Sequence, residues 1–187
     1  MIKDQVVKCL LCDLSKNRIN AVPGNGNITD KVMIIGEAPG KNEDLIGVPF
    51  VGSAGKILDK ALQEGGLERN DVYITNVVKC RPPNNRVPTD NEIQICTSKY
   101  LKNEITLISP KVICILGATA LKSLLGFEHM SKYRGKIINV EPHRYFITYH
   151  PAATLYNTKL KQVFFEDIHK LSSIIKADTY TMDRYFS

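Results

Sequence analysis

Apolar residues are distributed in two patterns along this chain. Val32-Met33-Ile34-Ile35 and Val112 to Leu116 (VICIL) are short continuous runs of the kind that form strands buried on both faces of a parallel sheet. Val72 to Val78 (VYITNVV), Lys136–Val140 and Tyr145–Thr148 are further strand candidates. Ser53 to Glu64 places Ala54, Ile57, Leu58, Ala61 and Leu62 at helical spacing, and Gly65-Gly66 stops it. Thr89 and Glu92 form a capping-box pattern for a helix from about Asp90 to Ile108. Ile2 to Leu11, Gly117 to Gly126 and Thr158 to Ile175 predict three more helices, whereas Asn17 to Thr29 is a loop rich in Asn, Gly and Pro. Alternating strands and helices predict a three-layer α/β/α sandwich around a central, mainly parallel four-stranded sheet. A single domain is expected over residues 1–176, with 177–187 as a patternless C-terminal tail.

The stretch after the first strand carries the most chemistry. Gly36-Glu37-Ala38-Pro39-Gly40 follows Ile35 directly, and the loop continues through Glu43 and Asp44 to Pro49-Phe50 before Gly52-Ser53-Ala54-Gly55 opens a helix. Open α/β folds place ligands where loops leave the C-terminal ends of strands. Phe50 offers a flat surface for stacking. The loop lacks the G-x-G-x-x-G phosphate fingerprint, which argues against a dinucleotide-binding protein.

Composition narrows the setting. Of 187 residues 43% are hydrophobic, so the chain is globular. No segment approaches the length of a membrane span, and Met1-Ile2-Lys3-Asp4 does not begin a signal peptide, so an intracellular, cytoplasmic protein without membrane contact is expected. The net charge of +6 is unevenly spread. Between His129 and Lys161 lie Lys132, Arg134, Lys136, Arg144, Lys159 and Lys161 against the single acid Glu141, a basic stripe suited to nucleic acid.

The five cysteines are of two kinds. Cys114 lies inside an apolar run and reads as a core thiol. Cys9-x2-Cys12, Cys80 and Cys96 lie outside such runs, with fifteen residues between the last two. Four thiolates suit a tetrahedral zinc site or a 4Fe-4S cluster, and the spacing does not choose between them.

Taken in order, Gly36-Glu37-Ala38-Pro39-Gly40, Pro49-Phe50-Val51-Gly52, Thr75-Asn76-Val77-Val78-Lys79-Cys80-Arg81-Pro82-Pro83 and His150-Pro151-Ala152 resemble the motifs of the family 4 uracil-DNA glycosylases. The resemblance runs from Cys9 to about Asp167. It implies a 4Fe-4S cluster on Cys9, Cys12, Cys80 and Cys96, with zinc the less favoured metal. It also implies a monofunctional glycosylase that hydrolyses the bond between uracil and deoxyribose in single- or double-stranded DNA, leaving an abasic site for base excision repair. A monomer is expected, with replication or repair proteins as possible partners. The competing expectation is a non-catalytic iron–sulfur DNA-binding module, which has no need of both Asn76 and His150.

The resemblance assigns roles that the chemistry can be checked against. Excision needs a flipped base, a stacking platform, readout of the pairing edge and stabilisation of a departing anion. Phe50 stacks. The Asn76 amide pairs an acceptor and a donor with uracil N3–H and O4. His150 stands near uracil O2. Family 1 enzymes carry a water-orienting aspartate where this chain has Ala38, which lines the pocket without a carboxylate. Glu37 is then the candidate for positioning water, and Glu43 is expected to crowd out the 5-methyl group of thymine. Leu155 is expected to wedge the duplex open from the minor groove. Beside it Tyr156 stands where many relatives have arginine. Lys132, Arg134, Lys136 and Arg144 are the expected phosphate contacts.

Overall fold

Val32 and Ile34 face one side of a sheet and Met33 and Ile35 the other, and all four are buried. A computed structural model describes residues 2–27 and 32–183, with side chains through residue 177. Its sheet is built from β1 (Asn25–Gly26), β2 (Val32–Gly36), β3 (Tyr73–Asn76), β4 (Val112–Leu116), β5 (Ile137–Val140) and β6 (His143–Thr148). The order is β1-β3-β2-β4-β6-β5. The inner four strands are parallel, and β1 and β5 add antiparallel edges. The sheet is therefore mixed and six-stranded rather than four-stranded. The extra strand that sequence patterning does not reveal is β1, two residues inside the Asn/Gly-rich loop, where polar side chains hide an edge pairing.

Helices cover both faces. On one side α3 (Ser53–Glu64) and α8 (Thr158–Asp183) pack Leu58, Leu62, Phe164, Ile168 and Leu171 onto Ile34, Cys114 and Phe146. On the other, α1 (Ile2–Val7), α4 (Asp90–Cys96), α5 (Lys102–Ile108) and α6 (Ala118–Leu125) enclose Met33, Ile113 and Ile147. Cys114 is fully buried, as a core thiol should be.

Three helices depart from expectation. The chain forms α2 (Lys41–Ile46) in what reads as loop, because Glu43 folds back to the Gly40 N–H and Gly47 ends the turn. The segment Asp90 to Ile108 is interrupted by a π-helical turn, Thr97–Leu101, directly after Cys96. No glycine or proline follows Ile175, and α8 continues through Asp183 into the expected tail. The last four residues of that tail, 184–187, lie outside the described residues. A small α7 (Met130–Tyr133) precedes β5. Among the described residues no helix is long and apolar enough to cross a membrane.

The register sets the site. Gly36 is level with Asn76, Ile35 with Ile115, and Leu116 with Thr148, so the inner strands end together. The loops leaving those ends carry Glu37, Lys79 and His150.

Candidate active site and cysteine cavity

A cavity of about 380 Å3 opens at this end of the sheet. Ala38, Glu43, Phe50, Asn76 and His150 all line it, together with Glu37. The five uracil contacts expected from sequence are thus brought together. Asn76 is 1% exposed, and its side-chain Oδ1 has no hydrogen-bond partner within the protein. A buried polar atom without a partner is costly, and the residue that carries it lines a cavity that a polar ligand can fill.

His150 caps the 3-10 turn Pro151–Thr154, and its ring Nδ1 accepts from the Ala152 N–H at 3.2 Å. Burial pushes the imidazole pKa down to about 4, which the Glu43 carboxylate partly opposes. The ring is therefore neutral at physiological pH. With Nδ1 accepting, the proton resides on Nε2, leaving that nitrogen as a donor. The rings of His150 and Phe50 lie 5.6 Å apart and are tilted by 33°.

Phe50 is held under strain. Its φ of 53° lies in the left-handed region, which a bulky side chain adopts at a cost. Arg69 offsets that cost by donating to the Phe50 carbonyl at 3.0 Å and to the Pro49 carbonyl at 2.5 Å, while an ion pair with Asp59 at 2.6 Å holds the guanidinium in place. Gly55 passes so close that an added Cβ would come within 1.9 Å of the Phe50 carbonyl oxygen. Sequence reading misses Arg69, since nothing local links it to a residue nineteen positions earlier.

The two glutamates differ. Glu37 lines the cavity half-buried, and its carboxylate accepts a short hydrogen bond from the Thr119 hydroxyl at the start of α6. Glu43 is 8% exposed, with Oε1 accepting from the N–H groups of Val51 and Gly52 (2.9 and 2.8 Å) and Oε2 from Gly40 (3.1 Å). It lines the cavity, and it also pins both ends of the loop that presents Phe50.

The four cysteines outside the apolar runs line one small cavity with Lys79 and Tyr100. Cys80 and Cys96 are buried, Cys9 and Cys12 half-buried. Arg18 donates to Cys80 Sγ at 2.9 Å and to the Cys9 carbonyl at 2.7 Å, and the Lys79 N–H donates to Cys96 Sγ at 3.3 Å. Burial raises the pKa of Cys12 and Cys80 and pushes Cys96 up to about 12; Arg18 pulls Cys80 back and Lys79 pulls Cys96 back. Among the described residues, no three His, Cys, Asp or Glu side chains converge tightly enough to hold a single metal ion.

The expected DNA contacts divide. Leu155 is 39% and Tyr156 99% exposed, on the loop that follows His150. Lys132 and Lys136 are exposed. Arg134 instead donates to Asp167 at 3.0 Å, and Asp167 also accepts from the Thr148 hydroxyl, so this guanidinium braces the end of β6. Arg144 pairs in register with Val112, at the opposite end of the sheet from the cavity. The rim contains Pro82 of the Thr75–Pro83 motif and two residues that sequence reading does not single out, Asn85 and Arg86, the last in a two-pronged ion pair with Glu92 at 2.7 and 2.8 Å.

A mixed α/β sheet with a cavity at the ends of its parallel inner strands defines a class, and residues 23–171 match the family model of the uracil DNA glycosylase superfamily. Three relatives narrow it. The type-4 uracil-DNA glycosylase of Saccharolobus solfataricus is 46% identical over 99% of this chain and 90% of its own. That of Sulfurisphaera tokodaii is 46% identical over 99% and 88%, and that of Thermotoga maritima 43% over 95% of both. This chain belongs to the type-4 uracil-DNA glycosylases of that superfamily.

Proposed function

We infer that this protein is a uracil-DNA glycosylase: it hydrolyses the N-glycosidic bond of uracil in DNA and leaves an abasic site for repair. The observation that carries the reading is the buried, unpartnered Asn76 Oδ1 in a cavity shared with Phe50 and His150. Uracil N3–H satisfies that oxygen, and the same amide donates to O4. Cytosine, with its acceptor and donor reversed, meets like against like. Phe50 stacks on the extruded base.

As the bond breaks, negative charge gathers on the uracil ring. The neutral His150 donates from Nε2 to O2, a contact that strengthens with that charge. Glu37, held by Thr119, orients the water that attacks the sugar. Ala38 leaves room without supplying a base. Glu43 narrows the cavity where a thymine methyl would enter, through the loop it fastens. Lys79, the lysine of the Thr75–Pro83 motif, is 1% exposed and ion-paired with Glu104, which leaves no free amine for Schiff-base chemistry. This lysine is therefore not a Schiff-base nucleophile for strand cleavage.

The donor set fits a 4Fe-4S cluster on Cys9, Cys12, Cys80 and Cys96. Four thiols share one cavity, two of them meet N–H donors, and a central cation would reverse the upward pKa shifts. A cluster takes thiolates spread wider than the single zinc ion does at about 2.3 Å. When bound, it supplies no reaction step; it ties the N-terminal segment, the end of β3 and α4 together.

Leu155 and the exposed Lys132 and Lys136 support duplex contact beside the cavity. The protein acts inside the cell as a single-domain monomer, with replication or repair proteins as its partners. Incubation with a uracil-containing oligonucleotide, followed by alkali, tests the reading: cleavage at the uracil supports it, and an intact strand removes it.

A further inference from the structure

One buried cation sits between the base cavity and the cysteine cavity. Lys79 is 1% exposed, and its Nζ donates to Glu104 Oε2 at 2.6 Å, to Thr75 Oγ1 at 2.6 Å and to the Asn76 main-chain carbonyl at 2.8 Å. Glu104, on α5, is itself 2% exposed. The Lys79 N–H donates to Cys96 Sγ at 3.3 Å, and its carbonyl accepts from Val22 N–H at 2.7 Å. Desolvating such a pair is expensive, and an apolar pair of similar volume often serves stability as well. The pair thus calls for a reason beyond stability.

The reason lies at the end of β3. The edge strand β1 pairs only with Tyr73 and Ile74, so the outer side of β3 has no strand partner by Asn76. A buried carbonyl needs a donor, and here the ammonium is that donor. On the other side of the same residue the side chain lines the cavity, with Oδ1 buried and without a partner in the protein. Rotation of the Asn76 peptide would carry the amide away from the base edge. Beyond Lys79 the chain enters Cys80 at once, so the same residue touches the wall of both cavities.

We propose that Lys79 is a positioning residue: its ammonium locks the Asn76 peptide so that the amide meets uracil squarely, and its backbone fastens that lock to the cysteine cavity. The inference rests on the reading of Asn76 as the base reader. It makes base recognition depend on a residue three positions beyond Asn76 and outside the cavity lining.

The test uses Lys79→Met combined with Glu104→Leu, which removes both charges and leaves no lone ion buried. Melting temperature, iron content, affinity for uracil-free duplex, single-turnover excision and inhibition by free uracil are measured on the full chain. Expected are near-normal melting, iron and duplex affinity, with excision slowed at least tenfold and free uracil a weaker inhibitor. A folded double variant with wild-type excision and uracil inhibition overturns the proposal. Should the double variant not fold, Thr75→Val withdraws one ligand of the ammonium and keeps the ion pair. Severalfold slower excision at an unchanged melting temperature is then expected, and a wild-type rate overturns it. Wild-type protein that excises no uracil would instead remove the glycosylase reading itself, so the two failures are distinct.

Discussion

Gly36 lies level with Asn76 in the β2–β3 register, and the Cβ it lacks would come 2.5 Å from Asn76 Oδ1. The same Cβ would approach the Phe50 ring within 2.5 Å. The first glycine of the GEAPG loop therefore keeps open the space between the Asn76 amide and the Phe50 ring. Gly36→Ala should displace one or both. Overpacking of this kind costs about 1–3 kcal/mol of stability, which a domain of this size survives. Excision should fall far more than the melting temperature does. Normal excision by the alanine variant would mean that the amide and the ring do not act from these positions.

His150 makes the pH dependence specific. Its pKa is depressed by burial to about 4, below its ordinary value near 6.5, so the unfolded chain binds a proton that the folded chain refuses. Its contribution to stability is thus fully present above about pH 6.5 and is lost as pH falls toward 4. Protonation also turns Nδ1 from acceptor to donor against the Ala152 N–H. The single-turnover rate should hold level through neutral pH and fall with a limb near 4, and His150→Ala should lack that limb while running about a hundredfold or more slower. A limb near 6.5 in the wild type would contradict the neutral, half-buried imidazole.

The cysteine cavity predicts colour and cohesion. Protein purified without air should be brown, with about four irons per chain for this cluster type. Cys80→Ala should lose iron and melt at a lower temperature, because the site joins segments distant in sequence. Excision by the fraction that stays folded should persist. A colourless wild type with one zinc per chain would replace the cluster and leave the glycosylase intact.

Most of the cavity was legible because its residues sit in short motifs at strand ends, where parallel sheets gather their loops. Asn76 is the last residue of β3, and His150 follows the last residue of β6, Thr148, by two. What was not legible is contact across long separations. Thr119 reaches Glu37 from 82 residues away, and Glu104 reaches Lys79 from 25. Neither acceptor nor donor carries a local mark. Arg144 shows the converse case. It belongs to a basic stripe in sequence, but a strand carries its residues from one end of the sheet to the other, and Arg144 stands four residues before Thr148. Glu43 looked like a pocket wall, and its two oxygens are taken up by backbone N–H groups that only the folded loop supplies.

The basic segment should therefore divide in a salt titration. Each phosphate contact adds roughly 0.9 to the slope of log affinity against log salt. Removing Lys132 and Lys136, both exposed, should flatten that slope on uracil-free and uracil-containing duplex alike. Arg144→Ala should leave it unchanged, since the residue lies at the far end of β6. Arg134→Ala should chiefly lower the melting temperature, because it leaves the buried Asp167 carboxylate with one charged partner fewer. An unchanged slope in the Lys132/Lys136 double variant would make these lysines a solvated face.

Asn76→Asp tests the reader directly, because it changes one donor into an acceptor and almost nothing in shape. In the proposed reading the wild-type amide meets N3–H with its oxygen and O4 with its nitrogen. The carboxylate keeps the first contact and sets lone pairs against O4 in a buried cavity. An unpaired buried polar contact costs about 1–3 kcal/mol, and a charged one more, so uracil excision should fall a hundredfold or further. Cytosine carries an exocyclic amine at that position, which can donate to the new carboxylate, so weak cytosine excision should emerge as uracil excision declines. Duplex affinity should not change, since the base edge is met only after extrusion. Single-turnover kinetics on uracil and cytosine oligonucleotides, paired with binding titrations, separates recognition from docking. Retention of normal uracil excision by Asn76→Asp would withdraw Asn76 from base recognition, and with it the role inferred for Lys79.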